Sequence, residues 1–113
     1  MYILSDQKLQ DLSLKAKKNV RLRKSLNIHE SHEESCQRLL NSILVGSYIH
    51  PHRHCLDSKK ELLVAIKGKF AIIEFTNAGK FNQSTIFSSQ KYADSCDTSY
   101  GVEVTPNCWH TVI

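Results

Sequence analysis

Long apolar runs are missing from this chain: the longest, Leu62 to Ile66, is five residues, whereas a membrane-spanning helix needs roughly 20. No transmembrane helix is expected. Glycine and proline are sparse, four and two in 113 residues, which excludes collagen-like repeats and the Pro/Gly-rich composition of disordered tracts. Internal repeats and low-complexity tracts are also lacking. The first residues, Met1-Tyr2-Ile3-Leu4-Ser5-Asp6-Gln7, show no basic start leading into a long apolar stretch and a small-residue cleavage site. Without that secretory pattern a cytoplasmic location is expected. Cys36, Cys55, Cys96 and Cys108 form no CxxC pair, which argues against a zinc ribbon or a disulfide scaffold and favours reduced thiols. Cys55 directly follows His54, so its thiolate could ligate a metal; the plainer reading is a half-buried small apolar residue.

What is present fits one soluble globular domain. Hydrophobic residues make up 41% and charged residues 23%, ordinary proportions for such a protein, and the length is in the range of a single domain. The formal charge of +4 is uneven, because Lys15, Lys17, Lys18, Arg21, Arg23 and Lys24 fall within ten residues. Such a cluster on one face attracts polyanions, and a solvated surface explains it as well. No aromatic residues interleave with these charges as a single-strand binder requires, so a nucleic-acid partner is not expected.

Ser5 is placed to cap a helix, and Leu9, Leu12 and Ala16 recur at helical spacing, so residues 6–18 read as a short amphipathic helix expected to pack on the β-barrel. Residues 27–35 are polar and aperiodic and read as a loop. Beyond Gln37 the pattern is that of an all-β sandwich or barrel. Strands are expected from Arg38 to Val45, Ser47 to His50, Leu62 to Lys67, Phe70 to Thr76, Lys80 to Phe87 and Gly101 to Thr105, with a short piece from Trp109 to Ile113. Gly46 and Gly68 punctuate these runs. Asn77-Ala78-Gly79 reads as a hairpin turn in which Gly79 is free to take positive φ.

His52 and His54 are two apart, so on an extended strand both imidazoles project to one face and can chelate one ion. Glu61 begins an apolar strand that an antiparallel arrangement could bring beside them, and a closed barrel could return His110 as a fourth ligand. Three neutral imidazoles and a carboxylate suit a divalent zinc, iron, manganese or nickel ion. HxH alone is a weak signal, since strand histidines are more often surface residues. The ordered set of Gly46, His52-Arg53-His54, Glu61, Gly68, Pro106 and His110 is stronger. His50 shares the strand parity of His52 and His54, but reads better as a residue at the barrel mouth. His29 and His32 could pair on zinc, though solvated loop histidines are commoner. Tyr48 and Trp109 could stack on a sugar ring or simply pack in the core.

That set resembles the first motif of the cupin superfamily, in which glycine, HxH, glutamate and glycine follow in order. Asn27-Ile28-His29, Gln37-Arg38-Leu39-Leu40-Asn41, Pro51-His52-Arg53-His54, Lys60-Glu61-Leu62 and Trp109-His110-Thr111-Val112 look like the WbuC family within it. The resemblance covers nearly the whole chain. It implies a mainly β, single-domain cupin barrel of jelly-roll type over 1–113, with a helical, basic segment at 1–26 and the barrel at 37–113. It also implies that His52, His54, Glu61 and His110 hold one metal ion, and an association with O-antigen polysaccharide synthesis. Asn27, His29, Gln37 and Arg38 are placed by it near a cavity entrance, where the Arg38 guanidinium suits a phosphate or carboxylate; a surface salt bridge with Glu33 or Glu34 is the alternative for Arg38.

The sequence departs from the motif in places. Six residues separate His54 from Glu61 where three or four are usual, which leaves Glu61 as a direct ligand or a neighbour of the ligands. Thr105 and Asn107 replace a proline and a glycine, although asparagine tolerates the left-handed conformation the turn needs. The resemblance implies a further strand beyond Ile113, so the C-terminal strand is expected to be truncated, leaving an open edge that invites homodimerisation. Two functions follow as expectations. One is a metal-dependent enzyme of isomerase or epimerase type, acting on a sugar or sugar nucleotide, with no general base to nominate. The other is a non-catalytic carbohydrate-binding or structural module with a structural metal. An iron oxygenase is a third reading, resting on fold analogy alone.

Overall fold

The structure is a computed structural model that describes residues 1–55, 59–90 and 99–113. The described residues are mainly β, with one short helix and seven strands in three small sheets rather than a closed barrel. The chain divides into two compact units, Met1–Tyr48 and Ile49–Ile113. Cys96 lies outside the described residues.

In the first unit, α1 spans Asp6–Lys17. Its start is fixed by Ser5, whose hydroxyl accepts the Lys8 N–H at 3.3 Å, and Asp6 in the first turn and Lys15 and Lys17 in the last complement the helix dipole. Leu12 and Ala16, one turn apart, are its buried residues, and α1 packs against β1 (Arg23–Asn27) and β2 (Leu39–Ile43). Its apolar stripe is covered by this pair of strands within its own unit. β1 and β2 run antiparallel with Leu26 opposite Leu40. β1 was not expected, because its sequence Arg-Lys-Ser-Leu-Asn has none of the alternation of a half-buried strand; pairing with β2 makes it one, and its charges suit an exposed edge.

The second unit holds β3 (Glu61–Val64) paired antiparallel with β6 (Gly101–Val104), and a three-stranded antiparallel sheet in the order β5 (Phe81–Ser88), β4 (Lys69–Phe75), β7 (Trp109–Val112). The β4–β5 turn lies where it was expected, with Gly79 at φ 75°. Ser47 to His50, expected as a strand, forms none. Its carbonyls are taken by side chains instead: Tyr48 O accepts from the Arg23 guanidinium, Ile49 O from the Thr111 hydroxyl at 2.6 Å and His50 O from the His52 ring at 2.9 Å.

Ala65, Ile72, Phe87 and Val104 form the core of this unit, with Leu63, Phe70, Val102, Cys108 and Val112 packed around them. Phe70 and Phe87 stack at 5.5 Å between ring centroids. Side chains alternate along a strand, so Phe70, Ile72 and Glu74 of β4 share one face. The register makes that face a series of rows: Phe70 stands opposite Phe87, Ile72 opposite Thr85 and Val112, and Glu74 opposite Gln83 and His110. The face is apolar at one end and polar at the other.

Candidate metal centre

His110 sits in β7 at the polar end of that face, and its backbone exchanges two hydrogen bonds of 2.9 Å with the backbone of His52. This reciprocal pairing puts the two side chains on the same side of the ladder. Two local hydrogen bonds then set the rings. His52 Nδ1–H donates to the carbonyl of His50 at 2.9 Å, and His110 Nδ1–H donates to that of Cys108 at 2.9 Å. Each histidine is thus oriented by the backbone two residues before it, and the second ring nitrogen, Nε2, is left as the lone-pair donor, as in established metal-binding histidines. His54 joins them two residues after His52. The ring centroids lie 4.5 Å apart for His52 and His110, 5.3 Å for His52 and His54, and 5.7 Å for His54 and His110. One ring nitrogen from each falls within 4.8 Å of the others. No second such group of His, Cys, Asp or Glu occurs among the described residues.

The turn before β7 closes the arrangement. Asn107 N–H donates to the His54 carbonyl at 3.1 Å, and Asn107 adopts φ 64°, the left-handed conformation that asparagine was expected to tolerate there. Burial is graded across the cluster: His110 is buried at 1% exposure, His52 is half-buried and His54 is exposed. The centre therefore opens to solvent on the His54 side.

Glu61, the first residue of β3, reaches the same place. Its Oε2 lies 3.2 Å from His54 Nε2 and 3.6 Å from His110 Nε2, yet it is buried and makes no hydrogen bond. With His110 Nδ1–H committed to a carbonyl, a neutral ring would aim its Nε2 lone pair at a carboxylate oxygen, and two acceptors in that position repel. A cation must sit between them, either a proton on the imidazole or a metal ion. The contact with the His110 imidazole holds the Glu61 carboxyl below its ordinary range against the opposing effect of burial. Reciprocally, Glu61 holds His110 above its ordinary range. A tetrahedral ion with bonds of about 2.0–2.1 Å would separate its ligand atoms by roughly 3.3 Å. The two Glu61 distances bracket that value, so the donors present fit such an ion.

The other sequence-derived candidates divide between the units. Asn27 ends β1 on an exposed position. His29 is buried at 6% exposure, with its Nδ1 bound to the Arg38 backbone. Gln37 staples the loop by donating from Nε2 to the carbonyls of Ser31, His32 and Glu34 at 3.2, 3.1 and 2.7 Å. Arg38 forms a salt bridge with Glu34 at 2.6 Å, the alternative to a ligand-binding place for its guanidinium. Tyr48 is exposed. All five lie in the first unit. In the second, Trp109 is half-buried beneath the Arg53 guanidinium, 5.0 Å from its ring centroid. Cys55 is exposed rather than half-buried, and His32 stands 5.4 Å from His29 between ring centroids.

Sequence reading passed over Glu74 and Gln83. Gln83 Nε2 donates to Glu74 Oε1 at 2.8 Å, and Glu74 stands directly opposite His110 on the neighbouring strand. The available signal was parity: Glu74 is two residues from Ile72 in a strand whose inward positions are otherwise apolar.

The chain belongs to the protein family described as Domain of unknown function (DUF6016), which matches residues 4–87, about three-quarters of its length. That stretch includes His52, His54, Glu61 and Glu74 and stops short of His110. No curated protein and no solved structure matches the chain.

Proposed function

We propose that this member of that family is a cupin-type metalloprotein in which His52, His54, His110 and Glu61 hold one divalent first-row ion, zinc, iron, manganese or nickel. The reading extends to a cytoplasmic protein of the WbuC type that acts on or binds a sugar or sugar nucleotide in surface polysaccharide synthesis. One observation carries it: three imidazoles from two distant segments converge with a buried carboxylate oxygen that has no hydrogen-bond partner. The bound ion would act as a Lewis acid on a carbonyl or hydroxyl oxygen. His52 and His110 are oriented by backbone carbonyls before any ion arrives, and the exposed His54 side gives a ligand access. A homodimer belongs to the same reading, supported by Leu62, Val64 and Ile66, which are exposed at 68, 58 and 50% on one side of β3 and its continuation.

A second reading, a binding module with a structural ion, is favoured by Glu61 itself, because three imidazoles and a carboxylate complete a four-coordinate shell. Metal analysis of the purified native protein beside His52→Ala and His54→Ala variants tests the centre. Close to one ion per chain is expected in the native protein, with marked loss in both variants. Full retention in either removes that histidine from the ligand set. Rapid exchange of the ion favours the first reading, and an inert zinc ion favours the second.

A further inference from the structure

Four side chains follow one another along a single row of the second unit. Gln83 is opposite Glu74, Glu74 is opposite His110, and His110 is opposite His52. Directly opposed residues of an antiparallel pair lie on the same face with Cβ atoms about 4.5–5.5 Å apart. The histidine centre therefore does not end at the histidines. It continues across the sheet onto a half-buried carboxylate that is pinned by an amide.

The same carboxylate lines a cavity of about 430 Å³, shared with Gln83, Thr85, Glu103, Thr105, Cys108 and the apolar floor at Ile72; the Glu103 carboxylate is already ion-paired with Lys60 at 2.7 Å, which leaves Glu74, among the described residues, as the carboxylate without a cationic partner there. No lysine, arginine or histidine lines it among the described residues. Two carboxylates, an amide and hydroxyl-bearing threonines in a cavity lined by no cationic side chain form an array that accepts hydrogen bonds from hydroxyl groups and repels anions. The apolar floor suits the carbon face of a ring.

We infer that Glu74, held by Gln83, is the specificity-determining residue of the site: it receives the hydroxyl groups of an uncharged, hydroxylated ring beside the metal centre and turns away phosphorylated or carboxylated ones. The inference rests on the proposed metal reading. If the ligand is a sugar nucleotide, its sugar occupies this cavity and its diphosphate stays outside.

The test uses the full chain loaded with Mn²⁺ and two probes, methyl α-glucoside and glucose 1-phosphate, titrated while following paramagnetic relaxation of the probe protons. The metal content of each protein is measured first. The native protein is expected to bind the glucoside about tenfold more tightly than the phosphate, the range of one hydrogen bond to a charged acceptor. Glu74→Gln keeps the shape and the ion, weakens the glucoside about tenfold and erases the preference. Gln83→Ala, which frees the carboxylate without neutralising it, weakens the glucoside by a few-fold and keeps the preference. Unchanged affinities in metal-loaded Glu74→Gln overturn the inference, as does native protein that binds the phosphate as tightly as the glucoside or binds no glucoside. Loss of the ion from Glu74→Gln also overturns it, since Glu74 would then be a ligand. Native protein without metal refutes the histidine reading and this inference with it, a result visible before any probe is added.

Discussion

His110→Ala separates the cost of an empty core position from the loss of a ligand. His110 is 1% exposed and donates one hydrogen bond, to the Cys108 carbonyl, so in metal-free protein the substitution costs about 1 kcal/mol for that bond and more for the space left behind. The larger effect concerns the ion. At a free metal concentration of 100 times Kd, binding stabilises the native protein by about 2.7 kcal/mol. For a chain of this size each kcal/mol moves Tm by about 3–6 °C, so metal should raise it by about 8–16 °C. Structural zinc contributes about 10–16 kcal/mol through four ligands, or roughly 3 kcal/mol per ligand, so removal of one weakens binding more than 100-fold. At the same metal concentration the variant then gains less than about 0.5 kcal/mol and about 1–2 °C. Thermal unfolding of both proteins after chelator treatment, with and without added zinc, reads this difference independently of the variant's lower baseline. A rise in His110→Ala equal to that of the native protein would refute the claim that the third imidazole is a ligand.

Two further outcomes concern parts of the fold away from the ion. Gly101→Ala places a Cβ 2.4 Å from the Leu63 carbonyl oxygen, a backbone atom that yields only if β3 and β6 separate; destabilisation of about 1–3 kcal/mol is expected in urea titration, and an unchanged midpoint would contradict the close approach. Glu34 accepts the Glu30 N–H and the Arg38 guanidinium, each at 2.6 Å, and the Glu30 bond above all holds its carboxyl below the ordinary 4.5. Because the folded value is the lower one, the contribution of Glu34 is full above pH 4.5 and disappears as pH falls through the folded value. The Glu30 amide resonance should follow this titration between pH 6 and 3 and lose it in Glu34→Gln; a midpoint at or above 4.5 would show that the bond does not favour the carboxylate.

The elements with strong local signals were legible in the sequence. Ser5 and the Leu9, Leu12 and Ala16 spacing located α1 to within a residue, and Asn77-Ala78-Gly79 located the β4–β5 turn. His52, His54 and His110 were legible as a set because the first two are two residues apart and because the ordered spacing from Gly46 through Glu61 and Gly68 to His110 resembles a known motif. β1 was not legible, since Arg23-Lys24-Ser25-Leu26-Asn27 becomes a strand only through its partner. Ser47 to His50 failed for the opposite reason: it has strand-like residues, but side chains from elsewhere occupy its carbonyls. Glu74 was hidden because its significance comes from two neighbours, Gln83 and His110, that only the register supplies.

The reciprocal backbone pairing of His52 with His110 joins positions 58 residues apart. An unfolded chain offers an ion only sequence neighbours such as His50, His52 and His54; the His110 imidazole arrives only once β7 has zipped against its neighbours. High-affinity uptake should therefore be a late event in maturation, and the ion would act less as a nucleus for folding than as a latch on a sheet already assembled.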